Sequence, residues 1–326
     1  MLKDILSNKV WLVTGASGYL GGELCKKIKT DYPSIYLIAT DVNTPSHNFY
    51  DEFIIGSLEN FENTVVHKIL TDKIDLVIHL AGVAVEGWCF NNPLETCESN
   101  IRAVYILLEA IRKSIYPCHL ILSTTDKVYG RDSTQLNPYF EDEPLLAKSI
   151  YETSKVCADL LAQSFYFSYQ VPLNIVRFAN LYGGLDRNSS RLVPRTIQRL
   201  QNGLPAELRL TNNGQEYTRD FIHISDAIEG LLMVAKASLD SNSNIIGEIF
   251  NISSGKEYRI RDIIDIIISI FQPGVKYVEV KGGVNYSEIV NQCASNNKMK
   301  QVLGWEPKIS LKDGLIMIRD EYGKEE

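Results

Sequence analysis

Residues 10–21 of the chain read Val10-Trp11-Leu12-Val13-Thr14-Gly15-Ala16-Ser17-Gly18-Tyr19-Leu20-Gly21. The apolar run predicts a buried strand, and Leu24 and Ile28 continue at helical spacing. The three glycines permit a tight turn, a close approach of the backbone to a ligand, and close packing of helix on strand. A helix start also offers free N–H groups to a pyrophosphate. Because the glycines lie between strand and helix, they predict a dinucleotide-binding turn.

The next predicted strand, 35–40, ends at Asp41. A carboxylate about 20 residues after the glycine turn can accept hydrogen bonds from the adenosine ribose and repels a 2′-phosphate. Asp41 therefore favours NAD over NADP. The alternative is an ordinary turn residue at the end of a strand.

Strands and helices alternate through the first 180 residues, which predicts an α/β fold, a Rossmann-like doubly wound parallel sheet. Further strands are predicted at 52–56, 76–80, 119–122 and 174–178, and helices at 60–70, 93–113 and 151–169. His79 lies inside an apolar strand and is predicted to be a packed core residue. The carboxyl ends of parallel strands share one edge, so we expect Gly15, Asp41, Gly82 and Thr125 to meet there.

Tyr151 and Lys155 are four residues apart in a predicted helix and therefore share one face. A nearby ammonium favours phenolate, so we expect the pKa of Tyr151 to fall from about 10 toward neutrality. Thr125, at the end of the preceding strand, is placed to hydrogen-bond the same substrate oxygen. The alternative is that the pair arose by chance on a solvated helix face.

After residue 180 the alternation of predicted strands and helices becomes less regular. We therefore predict two domains, a cofactor domain over 1–180 with a later return of the chain around 220–250, and a smaller α/β substrate domain over 181–326. Arginines 191, 209 and 219 are cationic forks suited to phosphate. The alternative for each is a surface salt bridge.

Composition excludes several classes of protein. With 326 residues, 45% of them hydrophobic, the chain can bury a sizeable core. A net charge of −7 argues against nucleic acid or an anionic membrane as partner. No apolar run is long enough to span a bilayer, and residues 1–10 lack a signal-peptide core, which predicts a cytoplasmic protein. Six scattered cysteines without a Cys-x-x-Cys pair predict free thiols and no metal.

Together these features resemble the extended short-chain dehydrogenase/reductase family, the NAD-dependent nucleotide-sugar epimerases and dehydratases. The resemblance covers nearly the whole chain. It rests on Gly15-x-x-Gly18-x-x-Gly21, Asp41, His79-Leu80-Ala81-Gly82, Asn100, residues 123–130, Tyr151-x-x-x-Lys155, residues 177–183, residues 219–223 and Gly304-Trp305-x-Pro307. In order and spacing this set is very specific for the family and far less specific for the substrate.

The resemblance implies a tightly held NAD, with Tyr151 as base and Lys155 on the nicotinamide ribose. The implied NAD contacts are Gly15, Ser17, Gly18, Tyr19, Leu20, Gly21, Asp41, Ser57, Leu58, Leu80, Ala81, Gly82, Asn100, Ser123, Tyr151 and Lys155. Ser57 departs from the family, which often has an acid there. The implied contacts with a nucleotide-diphosphate sugar are Val85, Thr125, Asn180, Arg191, Leu192 and Arg219. Asn180 and Arg219 match diphosphate positions, and Leu192 matches the base site. The resemblance also implies a homodimer through helices 93–113 and 151–169.

Asp126 and Lys127 distinguish the possible reactions. The pair is similar to the CDP-glucose 4,6-dehydratase variant of the family, which implies oxidation at C4, loss of water across C5/C6 and return of hydride to C6. Asp126 would donate a proton to the departing O6, and Lys127 would be the C5 base only if desolvation deprotonated it. Alternatively, Asp126 and Lys127 pair with each other and shape the pocket. The other candidate functions are a C4 or C2 epimerase and a non-catalytic binding protein.

Overall fold

The computed structural model describes residues 5–60, 62–184, 186–282 and 288–322. The chain forms two compact units. The first consists of residues 1–128, 147–177 and 230–250, and the second of residues 129–146, 178–229 and 251–326. Both units are therefore discontinuous in sequence.

The strands and helices are bounded as follows. The strands are β1 Val10–Thr14, β2 Tyr36–Asp41, β3 Glu52–Ile55, β4 Leu76–His79, β5 His119–Thr125, β6 Leu173–Phe178, β7 Asn180–Tyr182, β8 Glu207–Leu210, β9 Thr218–Arg219, β10 Phe221–His223, β11 Ile249–Ile252, β12 Tyr258–Arg259 and β13 Val278–Lys281. The helices are α1 Tyr19–Asp31, α2 Thr64–Thr71, α3 Glu86–Asn91, α4 Pro93–Cys97, α5 Ala103–Lys113, α6 Ile150–Tyr169, α7 Leu192–Gln201, α8 Ile224–Leu239, α9 Ile260–Phe271, α10 Asn297–Leu303 and α11 Leu311–Tyr322.

The first unit is built on a seven-stranded sheet in the order β11-β6-β5-β4-β1-β2-β3. Strand β1 pairs in parallel with β2 and β4, and the outer pairs β2–β3 and β4–β5 are also parallel. Buried apolar side chains of α2, α5 and α6 pack on this sheet. The predicted Rossmann-like doubly wound α/β fold is confirmed.

Strand register brings the expected ends together. Thr14, the last residue of β1, lies opposite Thr40 on one side and His79 on the other. His79 in turn lies opposite Leu122, three residues before Thr125. The segments that follow β1, β2, β4 and β5 therefore leave the same edge of the sheet, where such sheets bind ligands.

The predicted long helix at 93–113 is interrupted by a wider turn. Helix α4 runs into a π-helical turn over Glu98–Arg102, and α5 continues from Ala103. Such turns often occur at functional sites because they displace one residue from the helical register. Asn100 lies in this turn and is buried.

The second unit has a core of its own. Strands β7 and β10 form a parallel pair, β9 and β12 an antiparallel pair, and β8 and β13 a parallel pair. Buried side chains of α7, α9 and α11 form its hydrophobic cluster. Of the helices in the described part of the chain, none is both long enough and apolar enough to cross a membrane.

Candidate active site

The glycine turn after β1 leaves no room for side chains. Gly15 has a φ of +71°, and a Cβ there would lie 2.7 Å from the backbone nitrogen of Ala81. A Cβ on Gly21 would collide with the carbonyl oxygen of Gly15. The start of α1 therefore packs directly against the turn, which is the cradle that a pyrophosphate requires. By this test the residues fit a dinucleotide.

Asp41 lies at the mouth of this cradle. Its Oδ2 accepts a hydrogen bond from the Ser17 N–H at 3.0 Å, and its Oδ1 accepts one from the Asn43 N–H at 3.1 Å. A carboxylate has about four acceptor positions, so hydroxyls of a ribose can still bind. The backbone contacts fix the orientation of the carboxylate.

The remaining predicted NAD contacts of the first unit differ in their surroundings. Tyr19 and Leu20 open α1, Leu80 and Ala81 follow β4, and Ser123 lies within β5. The hydroxyl of Ser57 accepts a hydrogen bond from the Glu59 N–H at 3.2 Å, so it closes a local turn. Leu58 is buried in the core beneath the sheet. Their roles toward NAD stay predictions.

Thr14 joins the ends of β1 and β4. Its hydroxyl accepts a hydrogen bond from the Ala81 N–H at 3.1 Å and lies 2.8 Å from Nδ1 of His79. Burial lowers the pKa of His79 to about 3, and the charge of Lys155 adds to the shift. His79 is therefore a neutral, packed residue that fixes the end of β4.

Asn100 holds the segment after β4 against helix α6. Its Oδ1 accepts from the Val83 N–H at 2.8 Å, and its Nδ2 donates to the Val83 carbonyl at 3.0 Å and to the Ser154 hydroxyl at 2.9 Å. Gly82 has a φ of +146°, and a Cβ there would lie 3.3 Å from Nζ of Lys155. Asn100, Gly82 and Lys155 are thus neighbours.

Tyr151 lies at the start of α6, which a capping box fixes. The Ser149 hydroxyl accepts from the Glu152 N–H at 3.2 Å, and Oε2 of Glu152 accepts from the Ser149 N–H at 3.1 Å. The phenol of Tyr151 is buried and hydrogen-bonded to the Thr125 hydroxyl. The structure thus brings together the two predicted groups that act on one substrate oxygen.

The predicted effect of Lys155 on Tyr151 is wrong for this structure. Burial raises the pKa of Tyr151 above its usual value, and the carboxylate of Glu86 raises it further. Burial also lowers the pKa of Lys155 to about 8. The sequence shows that Lys155 is near Tyr151 but not that the fold removes water from around the phenol. Because a phenolate is poorly stabilised without water, burial is the largest influence on the pKa of Tyr151.

Asp126 and Lys127 follow Thr125 in a short 3-10 turn. Asp126 is 1% exposed, and its Oδ1 accepts a hydrogen bond from the Thr125 hydroxyl at 3.3 Å. Nζ of Lys127 lies 2.7 Å from Oε1 of Glu86, and both side chains are largely buried. Lys127 therefore forms its ion pair with Glu86, whereas the alternative from sequence paired it with Asp126.

Glu86 is a residue that sequence reasoning missed. It opens α3, just after Val85, a predicted substrate contact. A signal was present, since a carboxylate shortly after the small residues Ala81 and Gly82 lies near the ligand-binding edge of the sheet. Its partner Lys127 follows another strand, so the pairing required the three-dimensional structure.

The predicted substrate residues of the second unit have protein partners. Nδ2 of Asn180 donates to the Asp220 carbonyl at 3.1 Å. Arg219 is 7% exposed, and its Nη2 lies 2.8 Å from Glu288. Leu192 opens α7 and packs against the core of the unit.

Arg191 and Arg209 lie in different settings. Arg191 forms an ion pair with Asp186 at 3.0 Å. Arg209 lies in β8 with its side chain exposed. Arg191 and Arg219 each form an ion pair, which for Arg219 is largely buried. The diphosphate role of these arginines stays a prediction.

A model of the NAD dependent epimerase/dehydratase family matches residues 11–253. This chain belongs to that family. The human dTDP-D-glucose 4,6-dehydratase is 26% identical over 321 residues, which cover 93% of this chain and 87% of that protein. UDP-glucuronic acid decarboxylase 6 of Arabidopsis thaliana is 25% identical over 336 residues, 98% of this chain and 90% of the relative.

Some relatives are longer. The trifunctional UDP-glucose 4,6-dehydratase/UDP-4-keto-6-deoxy-D-glucose 3,5-epimerase/UDP-4-keto-L-rhamnose-reductase of Arabidopsis thaliana is 24% identical over 326 residues, 95% of this chain. This chain spans about half of that protein, 46% of its length.

Solved structures agree with this assignment. The UDP-glucuronic acid 4-epimerase from Bacillus cereus, in complex with UDP-glucuronic acid and NAD, has a TM-score of 0.82 at 25% identity, covering 97% of this chain and 100% of that one. The dTDP-glucose 4,6-dehydratase from Bacillus anthracis, in complex with NAD, has a TM-score of 0.82 at 24% identity, covering 98% and 97%. The chain is therefore an NAD-dependent enzyme of the nucleotide-sugar dehydratases, epimerases and decarboxylases.

Proposed function

We propose that this enzyme is a nucleotide-sugar 4,6-dehydratase. The observation that carries the proposal is the buried carboxyl of Asp126, which is hydrogen-bonded to Thr125 while Thr125 contacts the base Tyr151. An epimerase needs a group that acts at the sugar hydroxyl it oxidises, whereas elimination of water also needs an acid for the leaving oxygen. Asp126 lies beside the first group and supplies the second.

The residues of the first unit divide the chemistry between them. Tyr151 takes the proton of the C4 hydroxyl, and the Thr125 hydroxyl hydrogen-bonds the same oxygen. NAD, when bound, would accept the hydride of C4, and the positive charge of its ring would favour a phenolate at Tyr151. Lys155, whose Nζ lies near Gly82, binds a hydroxyl of the nicotinamide ribose in this proposal. Asp126 acts as the general acid that protonates the departing O6.

The second unit supplies the proposed contacts with the nucleotide diphosphate, from Asn180, Arg191, Leu192 and Arg219. Arg219 is held by the Thr218 and Val290 carbonyls at 2.8 and 2.9 Å, so its guanidinium is already oriented. A rigid fork loses little side-chain entropy when it binds an anion. Which nucleotide and which sugar are bound is a matter for the experiment.

Incubation with dTDP-, UDP-, CDP- and GDP-glucose tests the proposal. Mass spectrometry of the products should show the loss of one water from at least one of the four substrates. A change of stereochemistry at constant mass supports the C4 or C2 epimerase instead, an alternative that the likeness to a UDP-glucuronic acid 4-epimerase keeps open. Loss of carbon dioxide from UDP-glucuronic acid, tested in parallel, would contradict both.

The Asp126→Asn variant tests the role of the acid. Dehydration should fall by at least about 100-fold, because general acid catalysis typically contributes that much. The absorbance of reduced nicotinamide should still appear, since Tyr151 and Thr125 are unchanged. Asp72→Asn is the control, since that carboxylate is exposed and pairs with Lys68. Normal dehydration by Asp126→Asn would show that the acid lies elsewhere.

A further inference from the structure

The first unit holds one more acidic group near the reacting centre than the proposed mechanism uses. The carboxylate of Glu86 lies 2.7 Å from Nζ of Lys127, and the Glu86 side chain is 14% exposed. Helix α3, which Glu86 opens, packs against α6, which carries Tyr151. Glu86 therefore approaches the catalytic phenol from a separate element.

Contacts and charge both relate Glu86 to the groups around Tyr151. After burial, the Glu86 carboxylate is the strongest influence that raises the pKa of Tyr151, ahead of Asp126. Lys127, the ion-pair partner of Glu86, also donates its backbone N–H to the Thr125 hydroxyl at 3.4 Å. The Glu86 carboxylate is thereby linked through Lys127 to the group proposed to contact the C4 oxygen of a substrate. C5 is bonded to C4, so its proton lies within the same small region.

The proposed elimination requires a base that Lys127 does not supply in this arrangement. A base must have a free electron pair, and the ammonium of Lys127 donates a hydrogen bond to Glu86. The carboxylate of that same pair does carry electron pairs. Of the two partners in this ion pair, Glu86 is therefore the one that can act as a base.

We propose that Glu86 is the base that removes the C5 proton, with Lys127 orienting its carboxylate, an inference that rests on the proposed dehydratase function. In the 4-keto sugar the C5–H bond is acidic because the carbonyl is adjacent. The C5–H bond breaks and its proton goes to Glu86. The released electron pair is first held as the enolate of the C4 ketone. It then forms the C5=C6 bond as the C6–O6 bond breaks, and O6 leaves as water with the proton of Asp126. The step is balanced without an oxidant or reductant.

Deuterium incorporation at C5 tests the inference directly. The holoenzyme is incubated in D2O with the nucleotide sugar that the wild type dehydrates, and C5 is assayed by NMR after quenching. Glu86→Gln keeps an oxygen for the contact with Lys127 but is not a base. We expect C5 exchange and dehydration to fall by at least about 100-fold, while the absorbance of reduced nicotinamide is retained.

Matched variants separate the possible roles. Asp126→Asn should still exchange the C5 proton, since only its leaving-group acid is lost. Lys127→Met should slow exchange less than Glu86→Gln does, because it removes the orienting group and not the base. Exchange by Glu86→Gln at the wild-type rate, or loss of exchange in Lys127→Met alone, overturns the inference. Absence of dehydration in the wild type overturns the proposed function instead.

A rescue experiment covers a variant that fails at an earlier step. If Glu86→Gln shows no C4 oxidation, Glu86→Ala is assayed with added formate, a small carboxylate that can occupy the space of the side chain. Restored C5 exchange in the presence of formate, and not of chloride, supports a base at this position. C4 oxidation restored without C5 exchange would show that Glu86 only maintains the pocket.

Discussion

Asp159 of α6 and Arg177 of β6 form a bidentate ion pair in the core of the first unit. Nε and Nη2 of Arg177 each lie 2.9 Å from a different carboxylate oxygen of Asp159, and the two side chains are 1% and 0% exposed. The Thr124 hydroxyl donates to the same carboxylate at 3.2 Å. The pair thereby connects the helix that carries Tyr151 with the strand end that carries Thr125.

Removing one partner should therefore destabilise the fold. Arg177→Leu leaves a buried carboxylate without its cation, which typically costs about 3–5 kcal/mol. The expected result is a large fall in the free energy of unfolding, measured in urea. Arg112→Leu is the control, since Arg112 pairs with Glu109 at the surface, where an ion pair contributes little to stability. Equal losses in the two variants would contradict this role of the buried pair.

Asp41 should set the preference for NAD. Its carboxylate is fixed at the glycine turn by the Ser17 N–H, where it can accept hydrogen bonds from a ribose and repel a 2′-phosphate. Asp41→Ala should weaken NAD binding and reduce the ratio of NAD to NADP affinity by about 10-fold or more, equivalent to about 1.4 kcal/mol. Calorimetry with both nucleotides measures the ratio. If the ratio of NAD to NADP affinity is unchanged, Asp41 serves only to fix the conformation of the glycine turn.

His79 should make stability depend on pH. Its pKa is about 3 in the folded chain, against 6.5 for an unperturbed histidine, so between these values only the unfolded chain binds the proton. Stability contributed by the neutral histidine is present above pH 6.5 and falls as pH drops toward 3. At pH 5.5 the loss is roughly 1 kcal/mol relative to pH 7.5. Urea unfolding of wild type and His79→Asn at both pH values should show a smaller loss in the variant, and equal losses would contradict this account.

A homodimer should form through the helical face of α4, α5 and α6. Leu94, Leu160 and Phe167 on these helices are 69%, 51% and 72% exposed, and exposed apolar side chains on neighbouring helices are suited to a protein–protein interface. Phe167→Ser together with Leu160→Ser should shift the protein to monomer in light scattering. Leu136→Ser, at another exposed leucine, is the control. A wild type that is monomeric at high micromolar concentration would contradict the prediction.

The sequence predicted what depends on local pattern. The strand and glycine turn at 10–21, the carboxylate at Asp41 and the phenol–hydroxyl pair of Tyr151 and Thr125 all follow from spacing and from the shared edge of a parallel sheet. Two features did not follow. The pKa of Tyr151 depends on how completely the fold excludes water, and the Glu86–Lys127 pair joins segments 41 residues apart. Burial and long-range pairing arise only when the chain packs.

Because of the π-helical turn at 98–102, the number of residues in the helical segment from α4 to α5 matters as much as their identity. One residue is surplus to the ordinary α-helical repeat there, and Asn100 faces Val83 and Ser154 because of that surplus. Deleting a single residue from the turn would leave an ordinary α-helix whose two ends keep their orientation, but it would remove the bulge in which Asn100 contacts Val83 and Ser154. A library built from point substitutions alone would never reveal this constraint, whereas one built from deletions would find it at once.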